Sequence, residues 1–135
     1  MTCLVDANVL SEPTKMSPDP EVVAWLRANE RDLVVDSIVL GELYLGVLAL
    51  PAGRRRTQLE HWFAAMAQTI DCLPWDAAVS RQWARLVVAL RKKGTPVPVL
   101  DGMIAATALE HDLTVATRNV RDFKQTGVKV IDPFA

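Results

Sequence analysis

Two kinds of apolar segment alternate along this chain, and the alternation constrains the fold more than any other feature. Short runs rich in β-branched residues are separated by longer segments with helical spacing. The short runs lie at residues 4–5, 33–35, 113–116 and 128–131. Such alternation predicts βαβ units on a parallel sheet with right-handed crossovers. Because 135 residues suffice for one domain with its own core, we expect a single α/β domain over residues 1–135.

The first apolar run ends on a carboxylate. Asp6 follows Val5 directly, and a second polar side chain, Asn8, comes two residues later. In open α/β sheets ligands bind in the crevice outside the carboxyl ends of the strands, so Asp6 falls where a site is expected. The polar cluster at 117–122 follows a later predicted strand and should lie at the same edge.

Glu42 stands alone in an apolar helix. Every other residue of the predicted helix 38–50 is apolar or glycine. A lone ionised carboxylate in such surroundings costs several kcal/mol unless it is paired or bound to a metal. Spacing alone leaves three explanations: an arginine partner, a narrow polar edge beside Gly41 and Gly46, or a metal ion.

Asp101 follows a segment with two prolines. Pro96 and Pro98 predict an extended lead-in that runs to Leu100, and Asp101 then begins a helix rich in small residues. By position the ordinary role of Asp101 is a helix N-cap. Metal binding uses other lone pairs, so one carboxylate can serve both roles.

The polar residues at these positions share one chemistry, that of hard oxygen donors, which suit Mg²⁺ or Mn²⁺ and make a poor zinc site. Several converging carboxylates would repel one another without a cation. No glycine-rich phosphate loop follows any strand, which argues against dinucleotide binding and P-loop hydrolysis. The candidate residues are Asp6, Asn8, Glu42, Asp101, Thr117, Asn119 and Asp122.

Charge and hydropathy limit the partners. The formal net charge is −1, so no global basic field attracts nucleic acid, and contacts must come from local arginines or a bound cation. No apolar run approaches the length of a membrane span, and a signal-peptide pattern is absent, so we expect a cytoplasmic protein.

Cys3 and Cys72 both lie in strand-like runs and are predicted to be buried free thiols.

Four motifs together resemble the PIN-domain ribonucleases, and most closely the VapC-like toxins of type II toxin–antitoxin systems, including the FitB-like branch. They occur in the family's order and spacing across the whole chain. The motifs are Val5-Asp6-Ala7-Asn8-Val9-Leu10-Ser11-Glu12-Pro13, Gly41-Glu42-Leu43, Asp101-Gly102-Met103-Ile104-Ala105-Ala106-Thr107-Ala108 and Thr117-Arg118-Asn119-Val120-Arg121-Asp122-Phe123.

The resemblance implies a three-layer fold with parallel strand order 3-2-1-4-5 and helices on both faces. It also implies Mg²⁺-dependent endonucleolytic cleavage of RNA by metal-activated water, with Mn²⁺ able to substitute. A homodimer and a cognate antitoxin are the implied partners, and the apolar helix around Glu42 is a candidate surface for either. A catalytically silent PIN-like module that binds RNA or protein is the alternative, and it would bind equally well with Mg²⁺ or EDTA.

Residue by residue, Asp6, Glu42 and Asp101 match the family's three acidic ligands. Family members place the fourth acidic residue at the position of Asn119 or at that of Asp122. Because asparagine occupies the first position, the role is assigned to Asp122. The supporting roles fall to Asn8, Thr117 and Asn119.

Overall fold

A five-stranded parallel sheet forms the centre of the computed structural model, which describes residues 2–135. Hydrogen bonds join the strands in the order β3-β2-β1-β4-β5, and every neighbouring pair is parallel. The strand order implied by the family resemblance is therefore confirmed. The strands are β1 (Cys3–Val5), β2 (Leu33–Asp36), β3 (Asp71–Leu73), β4 (Thr114–Ala116) and β5 (Lys129–Ile131).

Helices connect the strands. Two short 3₁₀ turns, Glu12–Thr14 and Glu30–Asp32, flank the second helix. No helix in the described part of the chain is long and apolar enough to cross a membrane. The α-helices are α1 (Ala7–Leu10), α2 (Pro20–Ala28), α3 (Ser37–Leu48), α4 (Arg54–Thr69), α5 (Ala77–Lys93), α6 (Val99–Glu110) and α7 (Val120–Gln125).

The central strand is buried on both sides. Cys3, Leu4 and Val5 are each at most 1% exposed, although successive side chains of a strand point to opposite faces. Both faces of the sheet are therefore covered, as a parallel sheet requires. The confirmed α/β architecture leaves the carboxyl edge of the strands as the open side.

Aspartates cap the start of several helices. Asp19 precedes Pro20 and caps α2, and Asp76 caps α5 through a bond from the Val79 amide to its Oδ1 at 2.9 Å. Asp36 does the same for α3, where the Val39 amide donates to Oδ1 at 2.8 Å. These bonds satisfy amide groups that otherwise lack partners in the first helical turn.

The prediction that Asp101 caps its helix was wrong. Helix α6 begins at Val99 with Pro98 at the N-cap position, so Asp101 lies within the first turn. A proline restricts the residue before it and not the residues after it, which left Val99 and Leu100 free to be helical. The Asp101 carboxylate is thereby released from capping, because no side chain caps this helix.

The segment after β1 contains helix α1, with Asp6 as its N-cap, and the turn Glu12–Thr14. One smaller prediction needs correction. Cys72 is exposed, because β3 is an edge strand of the sheet. Cys3 is buried as predicted, and both thiols are free.

Candidate active site

A cavity of about 370 Å³ opens at the carboxyl edge of the sheet. Side chains from separate parts of the chain line it, among them carboxylates of Asp6, Glu42 and Asp101. Leu59 and Trp62 of α4 form part of its wall. Asp6 and Asp101 therefore face one space, as a shared site requires. The cavity also contains two predicted supporting residues, Asn8 and Asn119.

Asp6 is held firmly at the end of β1. Its side chain is 4% exposed, and its Oδ1 accepts a hydrogen bond from the Ala7 amide at 2.8 Å. Its Oδ2 accepts from the Thr117 hydroxyl at 2.7 Å and from Asn8 Nδ2 at 3.3 Å. Burial raises the pKa of Asp6 above its usual range, and the Thr117 and Ala7 bonds oppose that shift.

Polar side chains connect Asp6 to Asp101. The backbone N–H of Asn119 donates to Thr117 Oγ1 at 2.9 Å. The side-chain Nδ2 of Asn119 donates to Asp101 Oδ2 at 2.5 Å. Thr117 in turn donates to Asp6, so a chain of hydrogen bonds runs from one carboxylate to the other. This network places the predicted supporting residues directly on the predicted ligands.

Asp101 carries a raised pKa. Burial is the main cause, the charge of Asp6 adds to it, and together they raise the pKa to about 6 although the bond from Asn119 opposes the shift. A carboxylate whose pKa rises in the field of another carboxylate is one that a nearby cation would stabilise.

Glu42 reaches the same cavity from α3. Its Oε1 is buried and has no hydrogen-bond partner, and no ion pair to Glu42 occurs among residues 2–135. The arginine partner considered from the sequence is therefore absent from the described chain. Burial, followed by the charges of Asp6, Asp101 and Asp36, raises the pKa of Glu42 to about 7.

Asp122 lies apart from the other three carboxylates. It is half-buried in the first turn of α7 and does not line the cavity, although its charge contributes to the raised pKa of Asp101. Asn119, at the alternative position, does line it. The structure thus brings Asp6, Glu42 and Asp101 to one cavity, whereas Asp122 lies outside the lining of that cavity.

The donor set fits a hard divalent cation. Carboxylate and amide oxygens are the ligands that Mg²⁺ prefers, and the buried Oε1 of Glu42, in a cavity shared with Asp6 and Asp101, is an acceptor without a partner. As the side chains stand, no group of three Asp, Glu, His or Cys residues within 2–135 is close enough to share an ion. The Glu42 and Asp101 side chains must therefore turn toward Asp6 for all three to share an ion.

Asp36 and Thr107 belong to this region but were not predicted as site residues. Asp36 ends β2, which pairs with β1, so it lies next to Asp6 on the same edge of the sheet. An aspartate directly before a helix is ordinarily a cap, which is one role of Asp36 here. A carboxylate at the end of a second strand was the available clue, since the carboxyl ends of parallel strands converge.

The five-stranded parallel sheet with carboxylates at its carboxyl edge defines an α/β protein with a candidate metal site. The chain belongs to the PIN domain family, whose model matches residues 3–129. VapC ribonuclease Y4jK of Sinorhizobium fredii is 36% identical over 137 residues, covering 97% of this chain and 96% of the relative. Toxin FitB of Neisseria gonorrhoeae is 36% identical over 138 residues, with 97% of each covered. The crystal structure of FitAcB from the same organism superposes with a TM-score of 0.89 at 35% identity, covering 98% of this chain and 99% of that one.

Proposed function

We propose that this protein is a Mg²⁺-dependent endoribonuclease and the toxin of a type II toxin–antitoxin system. The observation that carries the proposal is the convergence of Asp6, Glu42 and Asp101 on one cavity at the carboxyl edge of the sheet. The names of two full-length relatives, a ribonuclease and a toxin, support it.

The three carboxylates of the cavity would hold the cation, with Mn²⁺ able to replace Mg²⁺, and Asp122 would contribute through water. When bound, such an ion lowers the pKa of water and neutralises the phosphate during in-line attack. The chain's own part is to hold the ligands in place. Thr117 and the Ala7 amide orient Asp6, and Asn119 orients Asp101.

RNA binding by a slightly acidic protein depends on local positive charge. A bound cation reverses the sign of the acidic cavity. Arg55 donates a hydrogen bond to the carbonyl of Thr14, which lines the cavity, so the arginine run at the start of α4 borders the site. Arg118 is exposed at the same edge, with its guanidinium 4.5 Å from the centre of the Phe134 ring. These arginines would position the RNA backbone and make affinity salt-dependent.

The proposed partners are a cognate antitoxin and a second copy of the chain, in the cytoplasm. Helix α3 presents three exposed apolar side chains, Tyr44, Leu45 and Leu48, between 41% and 66% exposed. Exposed apolar patches commonly mark protein–protein contacts. The similar solved structures of FitAB bound to DNA and of FitAcB support the antitoxin assignment.

The test is cleavage of a labelled RNA pool by the purified protein with Mg²⁺ or with EDTA. We expect cleavage in Mg²⁺, none in EDTA, and recovery when excess Mg²⁺ is restored. RNA binding that is equal in both buffers, without cleavage in either, would instead identify the catalytically silent module.

Asp122→Asn is expected to reduce cleavage by about 10-fold, which is less than the loss from removing a ligand that lines the cavity. Asp122 influences Asp101 through charge and lies outside the cavity lining. Cleavage rates at saturating and limiting Mg²⁺ measure this, and most of the deficit should disappear at saturation. A loss as large as that of Asp6→Asn would make Asp122 a direct ligand.

A further inference from the structure

A buried hydrogen bond joins the helix that carries Glu42 to the helix that carries Asp101. The Thr107 hydroxyl of α6 donates to Oδ2 of Asp36 at 2.8 Å, across 71 positions of sequence. Asp36 is 1% exposed and Thr107 is fully buried. A charge-assisted bond in such surroundings is stronger than a surface bond and costly to leave unmade.

Asp36 is fixed to α3 through its other oxygen. Oδ1 accepts the Val39 amide at 2.8 Å, so both carboxylate oxygens have protein donors and the residue is not a free metal ligand. Glu42 follows Asp36 by six positions, and Asp101 precedes Thr107 by six. At a rise of about 1.5 Å per residue, six positions span about 9 Å along a helix axis. The hydrogen bond is therefore about that far from Glu42 along α3 and from Asp101 along α6.

The part of α6 around Thr107 is built mostly of small side chains, with Ile104 one turn earlier packed in the core. The residues beside Thr107 on α6 are Ala105, Ala106 and Ala108, all completely buried. Alanines allow close approach but have no side-chain ends that interlock with a facing helix. The hydroxyl-to-carboxylate bond therefore adds a directional polar contact between α6 and the start of α3 to their apolar packing.

We propose that Asp36 and Thr107 are positioning residues that set the separation of Glu42 and Asp101, and through it the affinity of the cavity for a divalent cation. The inference rests on the proposed metal-dependent function. Loss of the Thr107 hydroxyl leaves a buried carboxylate oxygen without its donor, and the helices shift to relieve that cost. The carboxylates of Glu42 and Asp101 are then less well placed to bind one shared ion, and the affinity for that ion falls.

The experiment measures Mn²⁺ binding to the purified protein by electron paramagnetic resonance of free Mn²⁺. Thr107→Val keeps the shape of the side chain and removes the donor, and we expect about 10-fold weaker binding, the size typical of a lost outer-shell contact. Thr107→Ser keeps the hydroxyl and should bind as the wild type does. If Thr107→Val does not fold, Thr107→Ala removes the same donor without adding a methyl group.

A matched pair of cap variants separates positioning from stability. Asp36→Ala and Asp76→Ala each remove an aspartate that caps a helix through its Oδ1. Both should lower the melting temperature, but only Asp36→Ala should weaken Mn²⁺ binding, because Asp76 does not donate to or accept from Thr107. The Thr107 variants keep the Asp36 charge, so they distinguish positioning from loss of that charge. Equal Mn²⁺ affinities for Asp36→Ala and Asp76→Ala would overturn the proposal.

The two hypotheses fail in different ways. A wild-type protein that binds no Mn²⁺ at millimolar concentrations contradicts the metal-dependent function itself. A wild type that binds Mn²⁺, together with a folded Thr107→Val or Thr107→Ala variant that binds it equally well, contradicts only the positioning role.

Discussion

Asp6→Asn is expected to reduce RNA cleavage by on the order of 1,000-fold while leaving the fold intact. The substitution removes a ligand charge but keeps an oxygen that can accept the Ala7 amide, so helix α1 retains its cap. The Thr117 hydroxyl, which now donates to Oδ2, can rotate and accept from the new amide. The loss should therefore appear in catalysis and in Mg²⁺ affinity, with little change in stability.

Asp76→Asn is the matched control for that prediction. Asp76 is also an aspartate at a helix N-cap, with a 2.9 Å bond to the Val79 amide, but it does not line the cavity. Its variant should cleave RNA at the wild-type rate. Single-turnover rates, far-ultraviolet circular dichroism and urea unfolding of both variants measure the contrast. Full activity of Asp6→Asn in a buffer with controlled free Mg²⁺ would remove Asp6 from the ligand set.

Asp101→Asn should lose cleavage to a similar extent. Its carboxylate takes no part in helix capping, so the substitution affects only the cavity and the bond from Asn119. An Asn at 101 still offers an acceptor to Asn119, which preserves the local network.

The strand pattern was sufficient to predict a parallel sheet and the edge of that sheet at which a site is expected. Asp6 was identifiable because a carboxylate that ends a buried strand of a parallel sheet lies at the binding edge. Glu42 was identifiable because a single charge in an apolar helix needs a partner. Both inferences used local sequence and general physics, and the structure places both side chains on the same cavity.

Other features depended on contacts that local sequence does not encode. Local sequence accounts for one oxygen of Asp36, which caps the helix that follows it, but the donor to the other oxygen, Thr107, lies on a helix distant in sequence. Similarly, the exposure of Cys72 follows from the edge position of β3, which depends on strand order and not on the run itself. Strand order came from the family resemblance, because alternation alone does not rank strands within a sheet.

Glu42→Gln is expected to make the metal-free protein more stable, because ionisation of the Glu42 carboxyl opposes folding. The pKa of Glu42 is raised from 4.5 to about 7 by burial and by the charges of Asp6, Asp101 and Asp36. Because the pKa of Glu42 is higher in the folded than in the unfolded protein, its contribution to stability is fully present below pH 4.5. That contribution is lost as pH rises through 7 and the folded protein must hold the ionised carboxylate. Glu42→Gln should therefore stabilise the metal-free protein at pH 8 by about 2 kcal/mol, a value reduced for solvent screening of this half-buried group.

Urea unfolding in EDTA at pH 8 and at pH 5 measures this difference, which should shrink toward zero as pH approaches 4.5. Glu110→Gln, at an exposed position in the last turn of α6, is the control and should change stability at neither pH.

Adding Mg²⁺ should stabilise the wild type more than Glu42→Gln, since a ligand that binds the folded state shifts the equilibrium by its own affinity. Cleavage should fall in Glu42→Gln as stability rises, because the charge that destabilises the empty cavity is the charge that holds the cation. A Glu42→Gln variant that gained no stability at pH 8 would show that this carboxylate is already relieved in the metal-free protein.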